Sequence, residues 1–164
     1  MGTTYKLTGG DKLQKALELI AAKAKNSAVL NVGFPRGATE PDGQPTALVA
    51  FLNEFGKIVR SKDGDYYQLP RPYFRNMIAK YSPHWGDDLA KLLKAEDYDA
   101  VKALDLLGED IEGALKKSIQ ELQTPPLAPS TIKKKHGATK PLIDSGKMFQ
   151  STKHWVAENE GEEE

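Results

Sequence analysis

The stretch GEDIEGALKKSIQEL, residues 108–122, predicts the element around which the rest of the chain can fold. Its apolar residues recur three or four positions apart, on one face of a helix: Ile111, Leu115, Ile119 and Leu122. Pro125 and Pro126 follow, and a helix does not continue through two successive prolines. We therefore expect a long helix that ends before Pro125 and contributes Leu115 and Ile119 to the core.

The residues on the N-terminal side of this helix show helical and strand patterns in turn. Helical spacing or a capping pair predicts helices over 11–25, 46–55 and 73–81, and further helices from Ser82-Pro83 and from Asp97. Alternation predicts a strand over 28–34, and two β-prone runs around Asp63-Gly64 predict a hairpin over 57–69. A last strand is expected over 151–157.

Two of these elements are specified in more detail by their side chains. In the strand over 28–34, one face carries Leu30, Val32 and Phe34. In the helix over 46–55, Thr46 is expected to cap the first turn and Gly56 follows the last residue. The apolar face of that helix consists of Leu48, Phe51, Leu52 and Phe55.

Length and composition bound the class of protein. A chain of 164 residues is sufficient for one compact domain, expected over residues 1–156, followed by an acidic and disordered tail over 157–164. The formal net charge is zero, which argues against a protein that coats DNA or RNA. The charges are nevertheless uneven, because residues 125–155 contain six lysines and one acid, Asp144.

The sequence also excludes several kinds of site. Without cysteine there is no disulfide, thiolate metal site or cysteine nucleophile. No apolar run is long enough to span a bilayer, so we expect a soluble intracellular protein with no membrane partner.

No catalytic, cofactor or metal site is predicted. His84, His136 and His154 lie in separate segments, and neither a zinc motif, a serine elbow nor a phosphate loop is present. The acids Glu109, Asp110 and Glu112 are interpreted as residues at a helix start, where the helix dipole favours them.

The lysines Lys133, Lys134 and Lys135 have two readings. They form either the solvated face of a short helix between Ser130 and Gly137, or a contact with phosphate or with an acidic partner. Both readings remain open at this point.

Three motifs in order resemble one family. NEFG (53–56), LPRPYFRNMI (69–78) and PPLAPSTIKKKHGATKPLIDSGKMFQS (125–151) are similar to motifs of phage tail-completion and virion morphogenesis proteins. That group includes the Mu-type virion morphogenesis protein and the tail-completion neck proteins of lambda-like phages. The resemblance runs from about Leu13 to Val156. SKDGDYYQ (61–68) lengthens the segment between the first two motifs, so the hairpin there is expected to protrude or to be particular to a subgroup.

The resemblance implies a fold and a role. The fold would be α+β, a small mixed or antiparallel sheet packed by several helices, with an extended proline-rich C-terminal arm. The role would be that of a structural virion protein of the neck, completing the tail and/or joining head to tail within a ring around the DNA channel. Its partners would be further copies, a portal or head-completion connector, and tail terminator or tail tube proteins. Assembly would take place in the host cytoplasm.

The resemblance also assigns residues within the arm. Its candidate packing residues are Pro126, Leu127, Pro129, Leu142, Asp144 and Phe149. Leu142 and Phe149 would be buried anchors, and Asp144 would cap the turn over Ser145–Gln150. The candidate contacts with a partner or with DNA in the channel are Lys133, Lys134, Lys135, Lys140 and Lys147.

An alternative from a different class is a nucleic-acid-binding accessory protein. It would use the basic segment Lys133–Lys135, with His136 and Lys140 nearby. A steep salt dependence of binding to duplex DNA would favour that alternative.

Overall fold

A computed structural model describes residues 10–24, 28–60, 62, 64–127, 141–142 and 146–158. The helices within them are α1 (Gly10–Ala24), α2 (Thr46–Phe55), α3 (Tyr73–Ala95), α4 (Ala100–Glu121) and α5 (Lys147–Gln150). The strands are β1 (Ala28–Gly33), β2 (Lys57–Val59), β3 (Tyr66–Gln68) and β4 (Lys153–Glu158). The expected α+β class is confirmed, with antiparallel pairing throughout these strands.

Helix α4 is the central element, since α3 packs on it from one side and the β1–β4 pair from another. Leu115 and Ile119 are completely buried, as the spacing over 108–122 predicts. Further buried residues of α4 are Ala103, Leu107, Gly108 and Ile111. The long apolar face of this one helix therefore organises the core.

Helix α4 combines the helix expected from Asp97 with the one expected over 108–122, and it begins at Ala100. Asp99 caps it by accepting a hydrogen bond from the Lys102 backbone N–H at 3.1 Å, whereas Asp97 lies in the preceding turn. The interpretation of Glu109, Asp110 and Glu112 as residues at a helix start is wrong, because the helix continues through Gly108.

Gly108 is required where β1 and β4 approach α4. A Cβ atom at this position would lie 2.5 Å from His154 Cδ2 and 2.7 Å from Leu30 Cδ1. Glycine costs about 1 kcal/mol in a helix relative to alanine, and the close approach of the strands offsets that cost. A glycine within a helical pattern thus marks a packing contact here and not a helix boundary.

Helix α3 is a single helix of 23 residues, and the predicted break at Ser82-Pro83 is wrong. Pro83 lies inside the helix, where a proline removes one backbone hydrogen bond and costs about 3 kcal/mol. Tyr81 and Trp85 on either side of it pack against the core, so tertiary contacts keep the helix continuous.

The β1–β4 pair covers α4 with one face. Leu30 lies opposite Val156, and Leu30, Val32 and Phe34 pack against the core, which confirms the predicted alternation. Strand β4 extends to Glu158, opposite Ala28. The paired chain therefore continues two residues beyond the domain end expected at 156.

The predicted N-terminal helix is present as α1, but its leucines are largely exposed. Lys23 connects it to the turn after α3: its Nζ contacts the Asp97 carboxylate and donates to the Asp97 backbone oxygen at 3.0 Å. Within the described residues, no helix is long and apolar enough to cross a bilayer.

Candidate functional site

Helix α2 has the opposite orientation to the one that its apolar pattern favours. Its buried residues are Thr46, Ala50 and Glu54, whereas Leu48, Phe51 and Phe55 are exposed. The predicted cap by Thr46 is also wrong, because Pro45 occupies the N-cap position and Thr46 is the first helical residue. The side of α2 that faces the protein is therefore small or polar.

Glu54 explains this orientation. Its carboxylate accepts hydrogen bonds from the backbone N–H groups of Phe74 at 2.9 Å and Arg75 at 3.2 Å, and from Arg75 Nε at 2.7 Å. These N–H groups belong to the first turn of α3, which has no side-chain cap from its own N-cap residue, Pro72. A buried carboxylate from α2 thus caps α3, and the dipole of α3 favours its negative charge.

Asn53 joins the same elements to the β2–β3 hairpin. Its backbone oxygen accepts from the Arg71 backbone N–H at 2.8 Å. Its side-chain oxygen accepts from Gln68 Nε2 at 3.0 Å and Arg71 Nη1 at 3.3 Å. Residues of the NEFG and LPRPYFR motifs therefore meet in one partly buried cluster of hydrogen bonds. We call this cluster the joint; it contains Asn53, Glu54, Gln68 and Arg71.

Tyr73 extends the joint into the core. Its hydroxyl donates to the Ala50 backbone oxygen at 3.2 Å, and its own backbone oxygen accepts from Ser118 Oγ of α4 at 2.7 Å. Burial, together with the nearby carboxylate of Glu54, raises the pKa of Tyr73. The hydroxyl therefore stays protonated and remains a donor, which suits a structural role.

The joint supports an exposed apolar surface. We define the hairpin surface as Leu48, Phe51, Phe55, Ile58 and Tyr67, whose exposed fractions run from 47% to 70%. Four of the five are linked by contacts, because the rings of Phe51 and Phe55 are 4.7 Å apart, the Tyr67 hydroxyl donates to the Phe55 oxygen at 3.3 Å, and Ile58 pairs with Tyr67. Leu48 lies three residues before Phe51, on the same face of α2. Clustered exposed aromatic and aliphatic side chains are typical of protein–protein contacts.

Gly56 allows the hairpin to approach α2 this closely. Its φ of +85° lies in the region that favours glycine, and a Cβ there would lie 2.6 Å from the Tyr67 hydroxyl and 2.7 Å from the Gln68 oxygen. The expected glycine after the helix is thus present, and it has a packing role as well.

Cations surround the hairpin surface. Arg60 and Lys62 are exposed, and the Arg75 guanidinium lies 4.9 Å from the Phe55 ring centroid. Lys57 points to the opposite face of β2 and lines a cavity there. Asp65 is the acid in the described part of the β2–β3 connection. The surface is therefore apolar at its centre and positively charged around it.

A cavity of about 610 Å³ lies between the hairpin, α2 and the ends of the arm. Its walls include Tyr66 and Arg71 from the hairpin side, and Leu127, Leu142 and Met148 from the arm. Arg71 is buried, which lowers its pKa against an opposing effect of Tyr66, and its Nε has no hydrogen-bond partner.

The described residues of the arm lie against the domain. Leu127 and Leu142 are buried, Phe149 is half-buried with its ring centroid 5.9 Å from Lys116 Nζ, and Pro126 is exposed beside the cavity. Lys147 is exposed on α5. The N-cap position of α5 is Gly146, without a side-chain hydrogen bond, so the helix begins later than the turn expected over Ser145–Gln150.

The other predicted residues of the arm lie outside the described part of the chain: Pro129, Lys133, Lys134, Lys135, Lys140 and Asp144. The lysine contacts, and with them the nucleic-acid alternative, therefore stay predictions.

One charged cluster, between α4 and β4, is not predicted from the sequence. Glu112 of α4 accepts a hydrogen bond from the His154 backbone N–H at 2.9 Å, and its carboxylate lies 2.7 Å from His154 Nδ1. Lys116 pairs with the same carboxylate, and Asp105 lies 3.3 Å from His154 Nε2. The spacing of Glu112 and Lys116 was visible as a helical pair, but the contact with a residue 42 positions away was not.

This cluster predicts that the free energy of unfolding decreases at acidic pH. Burial alone would raise the pKa of Glu112, but hydrogen bonds from Lys116 and His154 outweigh burial and the pKa is lowered. Its contribution to stability is therefore complete above the ordinary value of 4.5 and is lost as the pH falls through the lower folded-state value. We expect Glu112→Gln to be less stable than wild type at neutral pH, with the difference shrinking in acid.

Urea unfolding of both proteins at several pH values measures this effect. Glu121→Gln is the matched control, since Glu121 is exposed and lies 3.8 Å from Lys117. A difference between wild type and Glu112→Gln that stayed constant below the ordinary glutamate range would contradict the assignment.

The described residues form a hydrogen-bonded joint with an exposed apolar surface. Among them, no group of three or more histidines and acids is arranged to hold a metal ion. Comparison with known proteins found no matching family model, no matching curated protein and no matching solved structure.

Proposed function

We propose that this chain is a structural protein of a phage virion, which completes the tail and/or joins head to tail as a subunit of a ring in the neck. The observation that carries the proposal is the hairpin surface. Five apolar side chains remain exposed in the single chain, although full burial of a large apolar side chain is favourable by about 1.5–3 kcal/mol. Such a surface suits a protein that is completed by a partner.

The motif residues behind the resemblance support the same role. Glu54, Asn53 and Arg71 form hydrogen bonds that hold α2, the hairpin and α3 together. Their function in the fold is to keep the hairpin surface rigid, which reduces the entropy lost on docking.

The arm provides a second element for assembly. Its described ends bury Leu127 and Leu142 against the cavity beside the hairpin. In the proposed ring, the partners are further copies, a portal or head-completion connector, and a tail terminator or tail tube protein. DNA would pass through the lumen without sequence readout, after assembly in the host cytoplasm.

Deletion of the gene from its phage tests this function. We expect the lysate to contain DNA-filled heads and separate tails but few joined, infectious particles, because an interface layer is missing. Electron microscopy and plaque counts measure the two effects. A deletion that blocked head formation itself, or one that left infectivity normal, would contradict the proposal.

Complementation with truncated chains separates the arm from the tail. A chain ending at Glu158 keeps every paired residue of β4 and is expected to restore plaques. A chain lacking 125–151 loses Leu127, Leu142 and Met148 from the core and is expected to fail. Full infectivity with the second chain would refute the role of the arm.

A further inference from the structure

Basic and acidic residues are concentrated in different parts of the sequence. Residues 57–80 contain six basic and two acidic residues, a net charge of +4. Residues 81–112 contain nine acidic residues and three lysines, a net charge of −6. The overall charge of zero therefore hides two regions of opposite sign.

Helix α3 places these two regions at opposite ends of the α3–α4 pair. Its N-terminus is held by Glu54 beside the hairpin, and its C-terminus leads into the turn before Asp99. With 23 residues, α3 is about 34 Å long at about 1.5 Å per residue. We define the acidic end by its exposed carboxylates: Asp87, Asp97, Asp99 and Asp105.

Helix α1 contacts the acidic end through Lys23 and carries exposed apolar side chains. Lys23 ties the C-terminal part of α1 to Asp97. On α1, Leu13 and Leu17 are one helical turn apart and are 63% and 57% exposed. The acidic end and α1 together thus combine carboxylates with exposed leucines, as the hairpin surface combines cations with exposed aromatic residues.

Charge decides which surfaces can meet. If two copies met through the hairpin surface of each, Arg60, Lys62 and Arg75 of one copy would come close to the same cations of the other. Like charges brought together in an interface oppose association, whereas a hairpin surface against an acidic end pairs opposite charges. Contact between different surfaces is also the arrangement from which a closed ring is built.

We propose that copies of this chain associate head to tail, with the hairpin surface of one copy packed against the acidic end and α1 of the next. The inference deepens the proposed function and rests on it, because it names the surfaces that would join neighbouring subunits of the ring. It is tested in solution, without phage, so that it can fail while the neck function stands.

Two variants, each damaged on one surface, test the arrangement. Ile58→Glu/Arg60→Glu alters the hairpin surface, and Leu17→Lys/Asp87→Lys alters the opposite end; all four positions are exposed. Sedimentation of wild type should show oligomers that grow with concentration and shrink as salt is added. Each variant alone should be a monomer, and an equimolar mixture should associate again, because the intact hairpin surface of one variant can pair with the intact acidic end of the other.

A control variant exchanges a lysine and a glutamate away from both surfaces, so its net charge is that of wild type. Lys117→Glu/Glu121→Lys, exposed on α4, should associate as wild type does. If circular dichroism shows that a double variant is unfolded, the single reversals Arg60→Glu and Asp87→Lys replace it in the same mixture, with weaker association expected for each alone.

Three results would overturn the inference. A wild-type chain that stays monomeric at its highest soluble concentration would show that the hairpin surface serves a different partner. A mixture that stays monomeric while wild type associates would exclude head-to-tail contact. A hairpin variant that associates like wild type would exclude that surface. The gene deletion would still decide the neck function in each case.

Discussion

Replacing Leu115 by alanine is expected to lower the free energy of unfolding by about 2–5 kcal/mol. Leu115 is completely buried at the centre of α4, among core residues from α2, α3 and the arm. The substitution removes apolar contacts and leaves a cavity that the surrounding helices fill only in part. Urea unfolding followed by circular dichroism measures the change.

The matched control is the same substitution on the surface. Leu17 of α1 is 57% exposed, so Leu17→Ala is expected to change the free energy of unfolding by less than about 0.5 kcal/mol. Equal losses for the two variants would show that α4 is not the centre of the core.

Replacing Glu54 by alanine is expected to cost about 2–3 kcal/mol, because hydrogen bonds to a buried charged group are worth more than neutral ones. The variant leaves the backbone N–H groups of Phe74 and Arg75 without their acceptor, and it leaves the Arg75 guanidinium without its ion pair. Since Glu54 joins α2 to α3, we also expect faster tryptic cleavage after Lys57 and Arg60 than in wild type.

Two further variants define the source of that loss. Glu54→Gln keeps one acceptor oxygen and should fall between alanine and wild type. Glu109→Ala removes an exposed carboxylate from α4 and should be nearly neutral. If Glu109→Ala were as costly as Glu54→Ala, the capping of α3 by Glu54 would not be the cause.

The stability of the joint matters because the hairpin surface depends on it. Phe55, Ile58 and Tyr67 hold their positions through the contacts of Tyr67 with Phe55 and through Gly56. A loosened joint would therefore weaken association even with every apolar side chain of the surface intact. Variants of Glu54 and variants of Ile58 distinguish these effects, since Ile58 is 70% exposed and carries little of the fold.

Much of the fold could be predicted because some patterns depend on near neighbours. The spacing of Ile111, Leu115 and Ile119 predicts a core helix, and the structure buries all three. The alternation of Leu30, Val32 and Phe34 predicts the inner face of β1, which is confirmed. In both elements, the apolar face packs against the core, and burial of each large apolar side chain is favourable by about 1.5–3 kcal/mol.

The helix boundaries show where local signals were outweighed. Pro83 and Gly108 both indicate a break, and both lie inside continuous helices. Each local cost is about 1–3 kcal/mol, which is comparable to the burial of one or two core side chains. A single residue therefore does not end a helix whose two sides pack against the same core.

The exposure of the hairpin surface was the feature least predictable from the sequence. Leu48, Phe51 and Phe55 were visible as one apolar face of α2, and the hairpin beside them was predicted from Asp63-Gly64. That this face is exposed depends on Glu54, which occupies the buried side of the helix. Nothing near Glu54 in sequence supplies its partners, which come from Phe74 and Arg75.

Local patterns in the sequence therefore predict which residues share one face of a helix or strand, and they predict the helix at the centre of the core. Contacts between residues distant in sequence establish which face of α2 is exposed, how α3 is capped, and how His154 pairs with Glu112. The physical reason is the range of the interactions. Periodicity acts within one element, whereas a buried carboxylate is stable only where distant N–H groups and cations are brought to it.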